Sequence, residues 1–410
     1  MMMQSYQLFL LSFLGTLFLL SCGADSTPLP DPGPPPPAPE VSASDTLLNL
    51  MGKEIERGIE EGNLERLVSL TDYVQFSERI YFPDSLSKSE REHAEKVSSK
   101  SASDEDGVGT FWKGLIRSVE LGVRVDYLST RRSDGSRLLF RLVFPSGGLS
   151  YLELLLGEGD GGMPVVIDLY EYLDGEFASR TIHRLIAADN RDPLFQLLNV
   201  SNRAAEAKEK LYEASGLIIQ GEFAKADYIL NEVQEPYRSM RQIEALRLIV
   251  RRGVNGENIY RKALSRFLKK YGKEPGVEVA LIEQALNFGQ LGEVLQLTDA
   301  LDSLVKDPYL NLMRAQAYYQ NNQDSLAQHF IESVVAYDST FVLPYRISLL
   351  VALHQNEHAL ALEQLRQLAA LNDRWLSLND ILQDPMAAPF KVSSEYSQAK
   401  EYIEEIVKKK

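Results

Sequence analysis

Gly221-Glu222-Phe223-Ala224-Lys225-Ala226 is the stretch whose reading decides the fold, because its pattern returns along the chain. The place of Gly221 is taken next by Asn255, then by Gly289, Asn322 and Asn356, at steps of about 34, 34, 33 and 34 residues. Gly and Asn are the residues that best tolerate the left-handed backbone that ends one helix and turns into the next. Five residues after each turn stand Ala226, Tyr260, Val294, Ala327 and Ala361. Seven residues before it stand Ala214, Leu248, Ile282, Ala315 and Leu349, all apolar. A period of this length, built on two helices, predicts a helical solenoid from about Ala205 to Asp373.

These residues resemble tetratricopeptide repeats. Gly221 to Ala226 is similar to that family's Gly-Asp-Tyr-x-x-Ala turn and second helix, and the unit from Leu312 to Tyr337 matches at Ala315, Tyr318 and Ala327. The unit at about 240–274 departs, with Tyr260 where a small residue is usual and Arg251 where an aromatic is. The family's late Pro is shifted or missing; Pro236, Pro275 and Pro308 lie only near its place. The resemblance covers roughly 170 of the 410 residues. It implies an all-α superhelix of about five units over 196–373 that binds another protein and does no chemistry. In the family the first helix of each unit lines the concave face. Projecting that register places Ser215, Arg252, Glu283, Asn287, Gln316, Tyr319, Gln320 and Arg346 in a partner-binding groove. For any one residue alone an ordinary exposed helix position is the favoured reading; a patch of several is the stronger claim. The Lys and Asn set with which chaperone-binding members clamp a C-terminal carboxylate is not at the matching positions.

Outside the repeats, composition sets limits. The formal net charge is −15, with 58 acids against 43 bases, which argues against nucleic acid as a partner. The only basic run is Lys408-Lys409-Lys410, read as a solvated, frayed terminus. Residues 1–22 read as an export signal: Leu8 to Leu20 is apolar, broken only by Ser12, Gly15 and Thr16, and has the length of a signal-peptide core. It ends in Leu19-Leu20-Ser21-Cys22-Gly23, which resembles the bacterial lipobox. That resemblance implies lipidation of Cys22, the one cysteine of the chain, although Met1 to Gln7 lacks the usual Lys or Arg. The alternative is an ordinary cleaved signal with Cys22 incidental. Residues 23–44 follow, with eight prolines between Pro28 and Pro39, and read as a disordered extended tether; a Pro-rich recognition peptide is the alternative.

Residues 45–190 read as an α+β domain. Leu47, Leu48, Met51, Ile55 and Ile59 recur at helical spacing, Gly62-Asn63 breaks that helix, and Leu64, Leu67 and Val68 continue a short one. Residues 84–107 are polar and read as a surface segment, and Phe111 to Val119 as a helix. Four strands are expected at about 122–130, 137–144, 149–156 and 164–172, with Gly-rich turns that favour an antiparallel sheet. Leu138, Phe140, Leu142 and Phe144 alternate to give one buried face, and a last helix is expected at about 175–188. The pattern is similar to nuclear-transport-factor-like or cystatin-like folds, which implies a pocket between sheet and helix. Asp168, Tyr170 and Tyr172 share one strand face. They form either a pocket with a general base or a solvated face with half-buried tyrosines.

Other strings carry no chemistry. Gly157-x-Gly159-x-x-Gly162 is followed by Met-Pro and a strand rather than a helix, so it reads as a hairpin loop and not a dinucleotide site. His354 and His358 have zinc-ligand spacing, but the turn residue Asn356 puts them on different helices. Ser85-x-x-Lys88 has no companions. No catalytic residue, metal ligand or cofactor is expected. Residues 374–410, with Tyr396, Ala399, Tyr402, Ile403 and Ile406 at helical spacing, read as capping helices, with a dimerisation helix as the alternative.

The expectation is a lipid-anchored protein of the bacterial cell envelope, at the outer membrane facing the periplasm, acting as a scaffold for a protein partner of unknown identity. The alternative is a small-ligand-binding or enzymatic α+β domain with the repeats as an accessory arm.

Overall fold

The computed structural model describes residues 39, 41–81, 109–132, 135–144, 148–172, 176–180, 201–219, 222–234, 238, 241–255, 257–271, 277–371 and 387–408. Cys22, most of the Pro-rich stretch, residues 84–107, most of the expected helix at 175–188, Gly221 and the first part of the expected cap lie outside them. The chain forms two compact units, Leu10–Val279 and Ala280–Lys410 with Met1–Phe9.

The first unit opens with helix α1, Asp45–Glu60. Ser44 caps it, its hydroxyl accepting the Leu47 amide at 3.3 Å. Gly62, at φ +67°, breaks the chain before α2, Leu64–Ser69, which Asn63 caps through the Arg66 amide at 3.1 Å. Then come α3, Tyr73–Tyr81, and α4, Gly109–Glu120. Order begins before the expected end of the tether. Val41 and Ala43 are buried, and the Arg132 guanidinium donates to both their carbonyls and pairs with Asp45.

The sheet is an antiparallel meander in sequence order: β1 Arg124–Arg131, β2 Arg137–Val143, β3 Leu149–Glu158, β4 Pro164–Glu171 and a short β5, Glu176–Phe177. The four expected strands are present. The fifth takes the place where a helix was expected to begin; helical backbone starts only at 178. Gly157 to Gly162 is the β3–β4 connection, closed by a turn at Asp160–Gly162 with Gly161 and Gly162 at positive φ. Leu138, Phe140, Leu142 and Phe144 are buried as the alternation requires, in one cluster with Leu48, Ile55, Trp112 and Leu115 from the helices. The intervening Leu139, Arg141 and Val143 are buried too, so both faces of β2 are covered.

Helices follow: α5 Ser201–Ile219, α6 Phe223–Glu232, α7 Arg241–Asn255, α8 Glu257–Tyr271 and the start of α9, Glu278–Asn287. Within the first unit α5 packs on α6 and α7, and α7 on α8. Leu211, Ala214 and Ile218 of α5 and Leu246 and Val250 of α7 belong to the same hydrophobic cluster as the sheet.

The second unit takes up the rest of α9, then α10 Leu291–Val305, α11 Asn311–Gln320, α12 Asp324–Tyr337, α13 Val342–Gln355, α14 His358–Ala370, a short α15 Ala388–Lys391 and α16 Ser394–Lys408. Gly289, Asn322 and Asn356 take positive φ of 65°, 56° and 58°, as their place in the period demands, whereas Asn255, expected at the same place, is the last helical residue of α7. All ten of the aligned apolar positions, from Ala214 to Leu349 and from Ala226 to Ala361, are buried. The two helices of a hairpin differ. Helix α11 buries six of its ten residues, whereas its partner α12 buries three of 14, so the first helix is the inner one. Successive first helices α11 and α13 also pack on each other. Helix α16 lies on α14, with Ala399 buried beside Leu362, Leu365 and Phe390.

Candidate functional site

Two polar assemblies are built into the described core. The first is on the sheet. Alternation puts Asp168, Tyr170 and Tyr172 on one face, and the antiparallel register adds Glu153, opposite Tyr170. Tyr170 is half-buried, as one reading of this face has it, while Glu153, Asp168 and Tyr172 are buried. Asp168 is buried, and its carboxylate accepts four hydrogen bonds: Arg79 Nε at 2.8 Å and Ser179 Oγ at 2.6 Å on Oδ2, and the amides of Leu169 at 2.9 Å and Ser179 at 3.2 Å on Oδ1. Burial pushes its carboxyl above the usual range, against the pull of Arg79 and these donors. Both oxygens are engaged, and the group is held in an internal ion pair with Arg79. Glu153, also buried, accepts from Arg131, from Arg137 Nη1 at 2.9 Å and from the Tyr172 hydroxyl at 3.0 Å. Burial raises the Tyr170 and Tyr172 hydroxyls well above a free tyrosine; Glu278 and Arg241 lie within electrostatic reach of Tyr170.

The second assembly lies on the inner helices. Ser215 on α5 is buried in the first unit, and the side chain of Arg252 lies outside the described residues. In the second unit Glu283 and Asn287 of α9, Gln316 and Tyr319 of α11 and Arg346 of α13 are all buried, and Gln320 is half-buried. The exposed helix positions expected of them are therefore absent. Ser215, Glu283 and Gln316 each stand one residue after the aligned apolar position, so the inner helix buries a polar group at a repeating place. Asn287 is 4% exposed, and neither its Nδ2 nor its Oδ1 has a hydrogen-bond partner among the described residues; Gln316 Oε1 is in the same state. Buried polar groups are paired in the great majority of cases, and leaving one unpaired costs about 1–3 kcal/mol.

His354 and His358 fall on α13 and α14, with left-handed Asn356 between them. His354 Nδ1 is 2.8 Å from Asp324 Oδ2, and its ring meets the edge of Tyr319 at 5.9 Å. No group of three His, Cys, Asp or Glu among the described residues is placed to hold a metal ion, and none of their helices is long and apolar enough to cross a membrane.

Sequence reasoning missed Arg79, Arg131, Arg137, Glu153 and Ser179. Their partners lie up to 89 positions away, and only the folded sheet brings them together. Comparison with protein-family models, curated proteins and solved structures returns no match.

Proposed function

We propose that this is a lipid-anchored scaffold of the bacterial cell envelope, at the outer membrane facing the periplasm, which holds a protein partner on its helical hairpins. In this reading Cys22 carries the lipid and residues 23–40 are the spacer. The hairpins form a tetratricopeptide-type array whose inner helices receive an extended peptide. The observation that carries the reading is the Asn287 amide, on an inner helix with neither of its groups partnered among the described residues; it is buried, so a peptide reaches it where neighbouring side chains give way. A peptide backbone offers one donor and one acceptor per residue, the complement of a side-chain amide. The repeating register and the inner–outer division of the hairpins support it.

The test compares the full chain with Asn287→Ala, and with Asn287→Ala combined with Gln316→Ala, as bait in solubilised envelopes. Removing an unpaired buried amide leaves stability unchanged or raises it by about 1 kcal/mol. Loss of the bonds to a partner weakens capture by roughly fivefold to tenfold per site, for about 1 kcal/mol each. A single protein captured by the parent and lost from an equally stable variant supports the proposal. Equal capture by both sinks the groove.

A further inference from the structure

Between Arg238 and Lys273 the chain holds 11 Lys and Arg against two Glu, a net charge of +9, which leaves 32 bases against 56 acids elsewhere. This excess is gathered on the hairpin α7–α8, and most openly on α8. Ile259, Lys262, Arg266 and Lys269 are all exposed and follow one another at steps of three and four residues, which puts them on one helix face. The opposite face, with Tyr260, Leu264 and Phe267, is buried. Lys270 beside the row is exposed and paired with Glu244 at 2.8 Å. At the turn end of the hairpin two apolar side chains stand in solvent, Val254 at 42% and Ile259 at 51% exposure.

We propose that this face docks on the surface of a bilayer containing anionic phospholipid, with Lys262, Arg266 and Lys269 against the phosphates and Val254 and Ile259 in the headgroup layer. Charge complementarity selects the occupant. The rest of this acidic chain is repelled by an anionic surface, so the one basic hairpin sets which side turns toward it. An acidic polypeptide or a nucleic acid would use the cations and leave the two apolar side chains in water, whereas a lipid interface uses both. The inference requires neither the lipid on Cys22 nor the peptide groove.

The experiment follows the full chain with Cys22→Ser, which carries no acyl group, as it partitions between buffer and vesicles. One set is phosphatidylcholine alone; the other also contains phosphatidylglycerol. The apolar stretch Leu8–Leu20 favours both sets, so the quantity read is the ratio of anionic to neutral partition. The expected ratio is far above one and falls as salt is added. Each basic side chain near the surface is worth roughly fivefold, so Lys262→Gln with Arg266→Gln and Lys269→Gln lowers the ratio on the order of 100-fold. An unchanged thermal melt accompanies that loss, since all three side chains are exposed. Val254→Ser with Ile259→Ser weakens binding to the anionic set severalfold and leaves its salt dependence intact. A ratio near one, or a ratio that survives the Gln substitutions, overturns the proposal. So does displacement from the vesicles by poly-glutamate or a DNA duplex while the Val254 and Ile259 substitutions have no effect, which marks a site for polyanions in general.

Discussion

Arg79 and Asp168 form an ion pair with side-chain exposures of 7% and 0%. Arg79→Ala leaves the Asp168 carboxylate in the core without its countercharge, and breaking such a pair costs about 3–5 kcal/mol. The expected outcome is a lower urea midpoint for Arg79→Ala than for the double replacement Arg79→Met with Asp168→Leu, which removes both charges. Gly52 offers a second residue-level test. A Cβ there would lie 2.4 Å from Cε2 of Tyr127. The Tyr127 hydroxyl is tied to Asn49 at 2.6 Å and to Thr130 at 2.8 Å, so the ring is not free to swing aside. Gly52→Ala gains about 1 kcal/mol of helix propensity and meets overpacking of about 1–3 kcal/mol; equilibrium unfolding should show a net loss. Alternation along β4 made the shared face of Asp168, Tyr170 and Tyr172 legible in the sequence. The burial of that face was not, because Arg79 and Ser179 reach it from other elements.

The turns between helices give the predictions at the level of elements. Asn322 and Asn356 sit at positive φ and end α11 and α13. Asn356→Ala should cost about 1 kcal/mol, because a Cβ next to the carbonyl disfavours left-handed backbone by about 1–2 kcal/mol and Asn pays less of it. Asn356→Gly should be neutral or stabilising, and thermal melts distinguish the two. Lys306, which ends α10 at φ +50°, is not part of the repeating turn and was invisible to a search for Gly and Asn. Lys306→Gly should raise the melting temperature, by about 1 kcal/mol of relieved strain. The basic face of α8 escaped a search for consecutive Lys and Arg for a different reason. Its charges are spaced by the helical period, and only coiling the segment brings them onto one side.

At the scale of the molecule, the sheet and the helices that follow it share apolar burial. Ala207, Leu211, Ala214 and Ile218 fall in one cluster with Leu138, Phe140 and Leu154. The sequence suggests a break near 190–196, where strand alternation gives way to helical period; the compact units divide further on, inside α9, between Val279 and Ala280. A fragment of residues 41–279 should therefore unfold in one cooperative transition. A fragment of residues 41–190, which lacks that apolar cover, should bind a hydrophobic dye and melt gradually; equal cooperativity in the two would show that the helices contribute nothing to the sheet domain.

By itself, the sequence determined what depends on neighbours along the chain: four strands from alternation, the helices from their 3.6-residue period, and left-handed turns at Gly289, Asn322 and Asn356. These features are set by interactions over a few residues and so are written locally. Only the tertiary structure decided that both faces of β2 are buried, that Asp168 meets Arg79, and that the Asn287 amide is enclosed without a partner among the described residues. Burial and pairing depend on which distant segment arrives, and a polar side chain reads the same in the sequence whether it is solvated, paired or left waiting for a ligand.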